Sequence, residues 1–441
     1  MKRPLSPPAF PDLFNKYRES LPDILARGIG PAVEGKYVHW DKLRHLNPPT
    51  DLDHEQWWVG IKFARTAFRR FLLLTDAVNR PFFIVLTPQV LEALHEIDNL
   101  AAGRIAMPEP VTNPATRERF LFRSLVEEAI TSSQLEGAST TRKKAMEMFR
   151  SGRQPADKSE QMIFNNLRGM EFIREHQHDL LTPQFVLDIH RALTRETLAP
   201  VAVGRVQAPD DDRVSVVSNT TGEILHNPPP AELLPLRMKR MCKFANAEDE
   251  KEFLHPVIRA ILLHLWLGYD HPFEDGNGRT ARALFYWSML HEGYWLFEFI
   301  SISAILRRAS AQYGRSYLYT ETDENDATYF VSYQLEVILR ALKALERYLE
   351  KKAQQIEAAE QILKDSGTYN YRQLSLLSHS LRNPNAEYTI NSHKVSHGVA
   401  YATARADLLD LAARRLLEER KIGRAAHFFV GKHLYDLMNR K

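Results

Sequence analysis

Cysteine is almost absent from this sequence of 441 residues, since Cys242 is the only one. A single cysteine can form neither an intrachain disulfide nor a cysteine-based zinc site, so both are excluded. The sequence also lacks any run approaching the ~18 apolar residues that a membrane-spanning helix requires. Near the N-terminus, Pro4, Pro7 and Pro8 stand where a secretory signal would have its apolar segment. These absences predict a cytoplasmic protein in a reducing environment, without membrane association.

Net charge is also scarce, formally +3, but it is unevenly distributed. Residues 351–441 contain 15 lysines and arginines against 9 aspartates and glutamates, a balance of +6. The other 43 basic and 46 acidic residues leave residues 1–350 with a charge of −3. Such asymmetry is typical of an appended module that meets an acidic partner, and it also occurs on ordinary solvated surfaces.

Helical periodicity dominates what is present. Apolar residues recur at helical spacing from Phe122 to Ile130 and again within residues 181–193, 255–269 and 279–290. One segment differs, because valine and isoleucine flank a polar turn and predict a β-hairpin from Arg213 to Leu225. The predicted fold is therefore mainly α, with one short β-hairpin.

The most informative segment is residues 271–282, which read HPFEDGNGRTAR and are called the signature segment below. Gly276 and Gly278 flank Asn277, so the backbone can turn successive N–H groups towards one point. A predicted helix begins here, and its N-terminus adds positive partial charge. The sequence therefore predicts an anion-binding site at the start of this helix.

Charged side chains of the same segment suit phosphate chemistry. Arg279 and Arg282 are three residues apart, so they share one helix face and can bind phosphate oxygens. Asp275 offers a carboxylate suited to Mg²⁺, and His271 can accept a proton from an attacking hydroxyl. Each feature alone has a common structural explanation, but their concentration in one segment predicts a phosphoryl-transfer site.

The signature segment resembles the signature of the Fic family, His-Pro-Phe-x-Asp/Glu-Gly-Asn-Gly/Lys-Arg, at every specified position. The resemblance implies transfer of AMP from ATP to a Ser, Thr or Tyr hydroxyl of a target protein. It implies His271 as the general base and Asp275 as the ligand of Mg²⁺. The residues implied to bind the nucleotide phosphates are Gly276, Asn277, Gly278, Arg279 and Arg282.

The predicted hairpin resembles the flap of this family, which docks an extended segment of the target by strand addition. The docking residues that this resemblance implies are Arg213, Val214, Val216 and Ile224.

An upstream segment, SSQLEG from Ser132 to Gly137, resembles the family's inhibitory motif, Ser/Thr-x-x-x-Glu-Gly/Asn. Glu136 falls in the last turn of a predicted helix, where the helix dipole disfavours a carboxylate, so we expect a cationic partner. The resemblance implies that this partner is Arg282 and that the pair occupies the site of the γ-phosphate. The implied inhibitory residues are Ser132, Glu136 and Gly137.

The predicted fold class is a mainly α, Fic-type helical domain with a short β-hairpin flap, a helical N-terminal region and a C-terminal winged-helix-like domain. The predicted regions are the N-terminal helical region (1–110), the catalytic core with its inhibitory helix (111–350), a linker helix (351–366) and the winged helix-turn-helix-like domain (367–441). DNA-binding relatives often have a second basic residue where Ala406 stands and a glycine where Arg415 stands. DNA and a protein therefore both stay open as partners of the basic tail, residues 351–441. A homodimer also stays open.

Other functions stay open at this stage. The same site can serve removal of AMP or transfer of another nucleotide or phosphate group, because no adenine-reading residue is evident. A DNA-binding regulator with a nucleotide-sensing Fic domain would bind duplex DNA in a salt-dependent way without transferring AMP. A histidine-based metalloenzyme is disfavoured, because His255, His264 and His271 are nine and seven residues apart.

Overall fold

The structure, a computed structural model, describes residues 2–49, 51–101, 114–218, 220–248, 252–422 and 425–438. The chain divides into two compact units. Residues 1–104 and 124–342 form the first, and residues 105–123 and 343–441 form the second. The predicted boundary between residues 110 and 111 lies outside the described residues, so the division into four regions stays a prediction.

The first unit is mainly helical, as predicted, with two small antiparallel hairpins. Its helices are α1 (Phe10–Lys16), α2 (Leu21–Ala26), α3 (Trp40–Leu43), α4 (His54–Thr66), α5 (Pro88–Ala101), α6 (Pro114–Leu135), α7 (Arg142–Ser151), α8 (Lys158–Glu175), α9 (Pro183–Thr194), α10 (Leu234–Ala245), α11 (Pro256–Asp270), α12 (Asn277–His291), α13 (Ile302–Arg308), α14 (Ser310–Thr322) and α15 (Thr328–Asp365). Two of these helices belong to it only in part: α6 from residue 124 onwards and α15 up to residue 342. Its strands are β1 (Arg69–Thr75), β2 (Pro81–Val85), β3 (Val216–Val217) and β4 (Ile224–His226).

Helices α11 and α12 form the centre of this unit, and nearly all their side chains are buried. A helix that is apolar on all sides packs inside a domain, which explains why α11 lies there. His255 caps α11 by accepting a hydrogen bond from the Val257 N–H at 3.3 Å, and Pro256 supplies a preformed first turn. The signature segment begins where α11 ends, so its backbone is supported from both sides.

The hairpin of β3 and β4 forms where the sequence predicts it. Val216 pairs with His226 and Val217 with Ile224, and the Ser218 N–H donates to Glu223 O at 2.8 Å to close the turn. Val216, Val217 and Ile224 are exposed. This hairpin thus presents apolar side chains to solvent.

The N-terminal region is helical, as predicted, and it also contains the hairpin of β1 and β2. Two buried cations of α4 tie the region to the rest of the unit: Lys62 Nζ donates to Asp323 Oδ1, at the end of α14, at 2.8 Å, and Arg65 Nη1 donates to Tyr329 Oη on α15 at 2.8 Å. Elsewhere in this unit, Cys242 on α10 is buried, and burial raises the pKa of its thiol to about 12. No helix of the described segments has the length and hydropathy of a membrane span.

In the described part of the second unit, four helices and three strands follow the end of α15. After the end of α15 come α16 (Tyr371–Arg382), β5 (Glu387–Thr389), α17 (Ile390–His397), α18 (Tyr401–Ala413), β6 (Leu417–Ile422), β7 (Ala425–Val430) and α19 (Lys432–Met438). The strands form one antiparallel sheet in the order β5-β7-β6. Buried Asp407 accepts hydrogen bonds from Arg372 Nε at 2.7 Å and Asn370 Nδ2 at 2.8 Å, which fixes α18 against the start of α16.

Candidate active site

The loop between α11 and α12 is held in a single conformation by Asn277. Its Oδ1 accepts from the Phe273 N–H at 2.9 Å, and its Nδ2 donates to Phe273 O at 2.8 Å. His271 ends α11 with φ of 43°, and Gly276 precedes α12 with φ of 86°. These left-handed residues let the chain reverse direction within a few residues, so the α12 N-terminus lies beside His271.

His190 on α9 packs against the loop and supports it. No sequence motif identifies this residue. Its ring stacks on Phe273 with 3.8 Å between ring centroids and 11° between planes. Nε2 donates to Asp275 O at 2.9 Å, and Nδ1 accepts from the Gly204 N–H at 3.0 Å. Burial lowers the pKa of His190 to about 4, so the ring is neutral at pH 7 and makes both contacts.

His271 is half-buried and neutral. Burial is the largest cause that lowers its pKa, to about 4, and the positive charges of His226 and Arg213 act in the same direction. Asn277 Nδ2 lies 3.2 Å from His271 Nδ1 and orients the ring. A neutral imidazole is the form that can accept a proton.

Arg279 is fully buried and only partly satisfied. Its Nη1 donates to Leu193 O at 3.0 Å, whereas Nε and Nη2 donate to no acceptor among the described residues. The Asp275 carboxylate lies 3.6 Å from Nη2. Buried donors are usually paired, so a buried guanidinium with incompletely paired donors at a helix N-terminus can accommodate an anion.

Arg282 meets the predicted inhibitory segment. Its Nε donates to Ser132 Oγ at 2.9 Å, and its Nη2 donates to Ser132 O at 3.0 Å and to Glu136 Oε1 at 2.8 Å. Burial, the largest single effect, lowers the pKa of Arg282, but Glu136, Tyr313 and Glu128 together hold the pKa above its ordinary value. Nη1 is buried and has no hydrogen-bond partner in the described part of the chain.

Glu136 lies directly against the start of α12. A Cβ atom added at Gly278 would overlap Glu136 Oε1, so the carboxylate covers this glycine closely. Gly137, with φ of 92°, turns the chain away after α6. The structure thus brings Ser132 and Glu136 together on Arg282, across 146 or more residues of sequence.

Asp275 fits a Mg²⁺ ion shared with phosphates, but not a metal held by protein alone. Its carboxylate is 46% exposed, and Oδ1 accepts from the Gly276 N–H at 2.5 Å. Mg²⁺ in such sites uses one or two carboxylates together with substrate phosphates. The described residues contain no cluster of three or more His, Cys, Asp or Glu side chains arranged to bind a metal.

Arg213 anchors the base of the hairpin to the signature segment. Its Nη1 donates to His271 O at 3.0 Å, Nη2 donates to Asp270 O at 2.8 Å, and Nε donates to Pro229 O at 3.0 Å. Val214 is half-buried, whereas Val216 and Ile224 are exposed. Of the four predicted docking residues, the structure therefore places Arg213 at the base of the hairpin, hydrogen-bonded inward to the loop.

His226 on β4 is a second anchor that sequence reasoning missed. Its Nε2 donates to Tyr269 O at 2.7 Å, and its Nδ1 lies 2.8 Å from Glu321 Oε2. Burial, the largest single effect, opposes its protonation, but the hydrogen bond and charge of Glu321, the Tyr269 carbonyl and the charge of Asp270 together raise the pKa above 6.5. The hairpin is thereby attached to α11 and α14.

Replacing His226 with glutamine should remove a pH-dependent part of the stability. Because the folded-state pKa is raised, this contribution is complete below about pH 6.5 and is lost as pH rises through the folded-state pKa. We expect the deficit in free energy of unfolding of His226→Gln to shrink between about pH 6 and about pH 9. Chemical denaturation at both pH values measures it, with exposed His178→Gln as control. An equal deficit at both pH values would contradict this assignment.

Replacing Gly276 with alanine should destabilise the loop more than the same change at Gly293. Both glycines have positive φ, 86° and 83°. The new Cβ would lie 2.7 Å from Thr194 Cγ2 at Gly276, but within 4 Å of nothing at Gly293. We expect a difference of about 1–3 kcal/mol in the free energy of unfolding, measured by urea denaturation. Equal losses in the free energy of unfolding would show that the loop accommodates the new Cβ at Gly276 without a measurable energetic penalty.

Comparisons with known proteins agree with this geometry. Residues 180–289, which include the loop, His190 and the hairpin, match the Fic/DOC family. The chain contains a Fic domain. The resemblance of the signature segment to the Fic family is thereby confirmed.

Two curated relatives illustrate how local the sequence similarity is. Protein adenylyltransferase Fic of Drosophila sechellia is 44% identical over 69 residues, covering 16% of this chain and 14% of that protein. Protein adenylyltransferase Fic of Culex quinquefasciatus is 33% identical over 119 residues, covering 27% of this chain and 21% of that protein. The matches therefore span only a small part of these relatives.

Similarity of fold extends further. The crystal structure of a Fic family protein from Desulfovibrio desulfuricans G20 covers 79% of this chain and 97% of its own, with a TM-score of 0.51 at 18% identity. At this identity the likeness concerns the fold alone.

Proposed function

We propose that this protein transfers AMP from ATP to a Ser, Thr or Tyr hydroxyl of a target protein. The observation that carries the proposal is the buried Arg279 in the first turn of α12: its Nε and Nη2 have no hydrogen-bond acceptor among the described residues, and its one ion-pair partner there, Asp275, lies 3.6 Å away. Neutral His271 ends the preceding helix. The relatives named protein adenylyltransferase Fic support the same reaction through the region they share with this chain.

The phosphates of ATP fit this environment by charge and by space. Gly278 has no Cβ, and the Glu136 carboxylate lies against it, so an anionic group can reach the backbone there; Asn277 begins the helix whose N-terminus a phosphate would meet. Arg279 would bind the β-phosphate, and Arg282 would bind the γ-phosphate. Asp275 would hold Mg²⁺, which supplies neutralisation of phosphate charge.

The target hydroxyl oxygen would form a bond to the α-phosphorus while the bond from this phosphorus to the β-phosphate oxygen breaks. Pyrophosphate leaves, and the hydroxyl proton passes to the imidazole of His271. Burial keeps His271 unprotonated before the reaction. Asn277 keeps its ring in place from Nδ1.

The hairpin supports a way to dock the target. Val216 and Ile224 are exposed, so an extended target segment can pair with the hairpin and cover its apolar side chains. Arg213 and His226 hold the hairpin to the loop that carries His271. The docked hydroxyl and the base would therefore be positioned by one connected framework.

We propose that Glu136 inhibits this reaction. Its carboxylate pairs with Arg282 at 2.8 Å and lies on Gly278, in the place proposed for the γ-phosphate. ATP bound in the presence of this pair would be held in a pose unsuited to in-line attack. The same carboxylate can orient a water molecule, so removal of AMP is the second reaction to be tested.

We also propose that the tail recruits an acidic partner, either DNA or a protein. The tail has a charge of +6, and Lys394 and Arg405, which are exposed, make no ion pair in the described part of the chain. Binding to duplex DNA that weakens steeply with salt would favour DNA.

The proposal is tested by mass spectrometry of a cell lysate incubated with Mg²⁺, ATP and the Glu136→Gly variant. A peptide heavier by one AMP would name both the target and the modified hydroxyl. Parallel incubations with GTP, CTP and UTP test the nucleotide, and a pre-modified target tests removal of AMP. Absence of any adduct or removal in all of these incubations would refute the proposed function.

A further inference from the structure

Helix α6 and the turn that directly follows it contact α12 through three polar groups spaced four residues apart. Glu128 meets Tyr286, Ser132 meets Arg282, and Glu136 meets both Arg282 and the backbone at Gly278. The residue numbers of the partners on α12 fall as those of the contacting α6 residues rise, so the two helices run antiparallel. Residues at i, i+4 and i+8 share one face of a helix, which makes these contacts a single row.

Glu128, at the far end of this row, is a buried carboxylate that contacts no group of the proposed reaction. It is 1% exposed and accepts from Tyr286 Oη at 2.9 Å, Ser301 Oγ at 2.7 Å, the Ser303 N–H at 3.1 Å, and Ser303 Oγ. It makes no ion pair with a Lys, Arg or His in the described segments, although its charge contributes to raising the pKa of Arg282.

A buried carboxylate without a cation is costly unless every partner is in place. Four neutral donors define one position for the Glu128 carboxylate: one comes from Tyr286 on α12 and three come from Ser301 and Ser303 at the start of α13. A shift of α6 relative to these two helices would break all of them. Thr131 adds a further contact on the same turn, with its Oγ1 3.2 Å from Ser301 Oγ. The α6 helix is therefore fixed in register at this point.

We propose that Glu128 is the positioning residue of the inhibitory switch: it fixes α6 against α12 and the start of α13 so that Ser132 and Glu136 reach Arg282. This inference rests on the proposed inhibitory role of Glu136. Glu128 and Glu136 are joined by about two turns of helix, roughly 12 Å, which transmit the register stiffly. Loss of the Glu128 contacts would leave the Ser132 and Glu136 contacts with Arg282 without this second anchor.

The test measures AMP transfer by Glu128→Ala and by Glu127→Ala, each in the natural sequence and in the Glu136→Gly background. Glu127 is the matched control, because it is adjacent on α6 and pairs with Arg142 at 2.7 Å at the partly exposed surface. We expect Glu128→Ala to raise transfer about fivefold or more in the natural sequence and to add nothing in the Glu136→Gly background. Glu127→Ala should change neither.

A purely structural Glu128 would give the opposite pattern, because lost stability lowers transfer by the same factor in both backgrounds. That result, or no change, would overturn the inference. If Glu136→Gly alone fails to raise transfer, the inhibitory role fails independently of Glu128.

Hydrogen–deuterium exchange tests the register without any activity. Amides of residues 124–135 should exchange faster in Glu128→Ala than in Glu127→Ala, while those of α12 stay protected. Unchanged exchange in α6 would also overturn the inference. Tyr286→Phe removes one donor only and should shift exchange and transfer in the same direction by less, which keeps the test open if Glu128→Ala does not fold.

Discussion

Replacement of His271 with alanine is expected to reduce AMP transfer by a factor of about a hundred to ten thousand, the range typical of a lost general base. His271 is the imidazole at the end of α11 that faces the start of α12, and it is kept neutral by burial. The nearby His190 is unable to replace it, because both of its ring nitrogens are engaged with Asp275 O and the Gly204 N–H. Initial rates with labelled ATP measure the loss.

The loss must come from the chemical step for this assignment to hold. Binding of ATP to His271→Ala should stay within a few-fold of the natural sequence, because the proposed phosphate ligands are untouched. Exposed His178→Ala serves as the matched control and should transfer at the natural rate. Transfer by His271→Ala at a rate close to that of the control would rule out His271 as the base.

Replacement of Glu136 with glycine is expected to raise AMP transfer. The increase should be about a hundredfold if Glu136 holds bound ATP about one ångström away from the position for in-line attack. The change removes the carboxylate that lies on Gly278 and releases Arg282 Nη2 for a phosphate. Transfer to a target, or to the protein itself, is followed with labelled ATP.

Arg282→Ala separates inhibition from simple disruption of the ion pair. It breaks the same contact at 2.8 Å, but it also removes the proposed ligand of the γ-phosphate. We therefore expect Glu136→Gly to activate and Arg282→Ala to stay at or below the natural rate. Equal activation by both variants would mean that Arg282 does not bind the nucleotide.

Local sequence patterns were sufficient for the parts of the site that are contiguous in the chain. The signature segment predicts an anion site because its glycines, carboxylate and arginines follow one another, and the structure gathers them at one helix start. The β3–β4 hairpin was likewise predictable, because β-branched residues flank a polar turn that ends in Gly222.

The residues that were missed act through contacts distant in sequence. His190 and Glu128 each look like an ordinary polar residue on a helix, and only packing brings His190 to Asp275 O and Glu128 to Ser303. The β1 strand was missed for another reason: RRFLLLT is a short apolar run, in which periodicity does not distinguish a strand from a buried helix.

The burial of Cys242 has a practical consequence for observing the protein in motion. This thiol lies on the buried face of α10, and burial raises its pKa to about 12, so it is protonated at neutral pH. A cysteine introduced at an exposed position such as Val217 would be the sole reactive thiol of the chain. Fluorophores or spin labels can therefore be attached at single chosen positions without first removing a native cysteine.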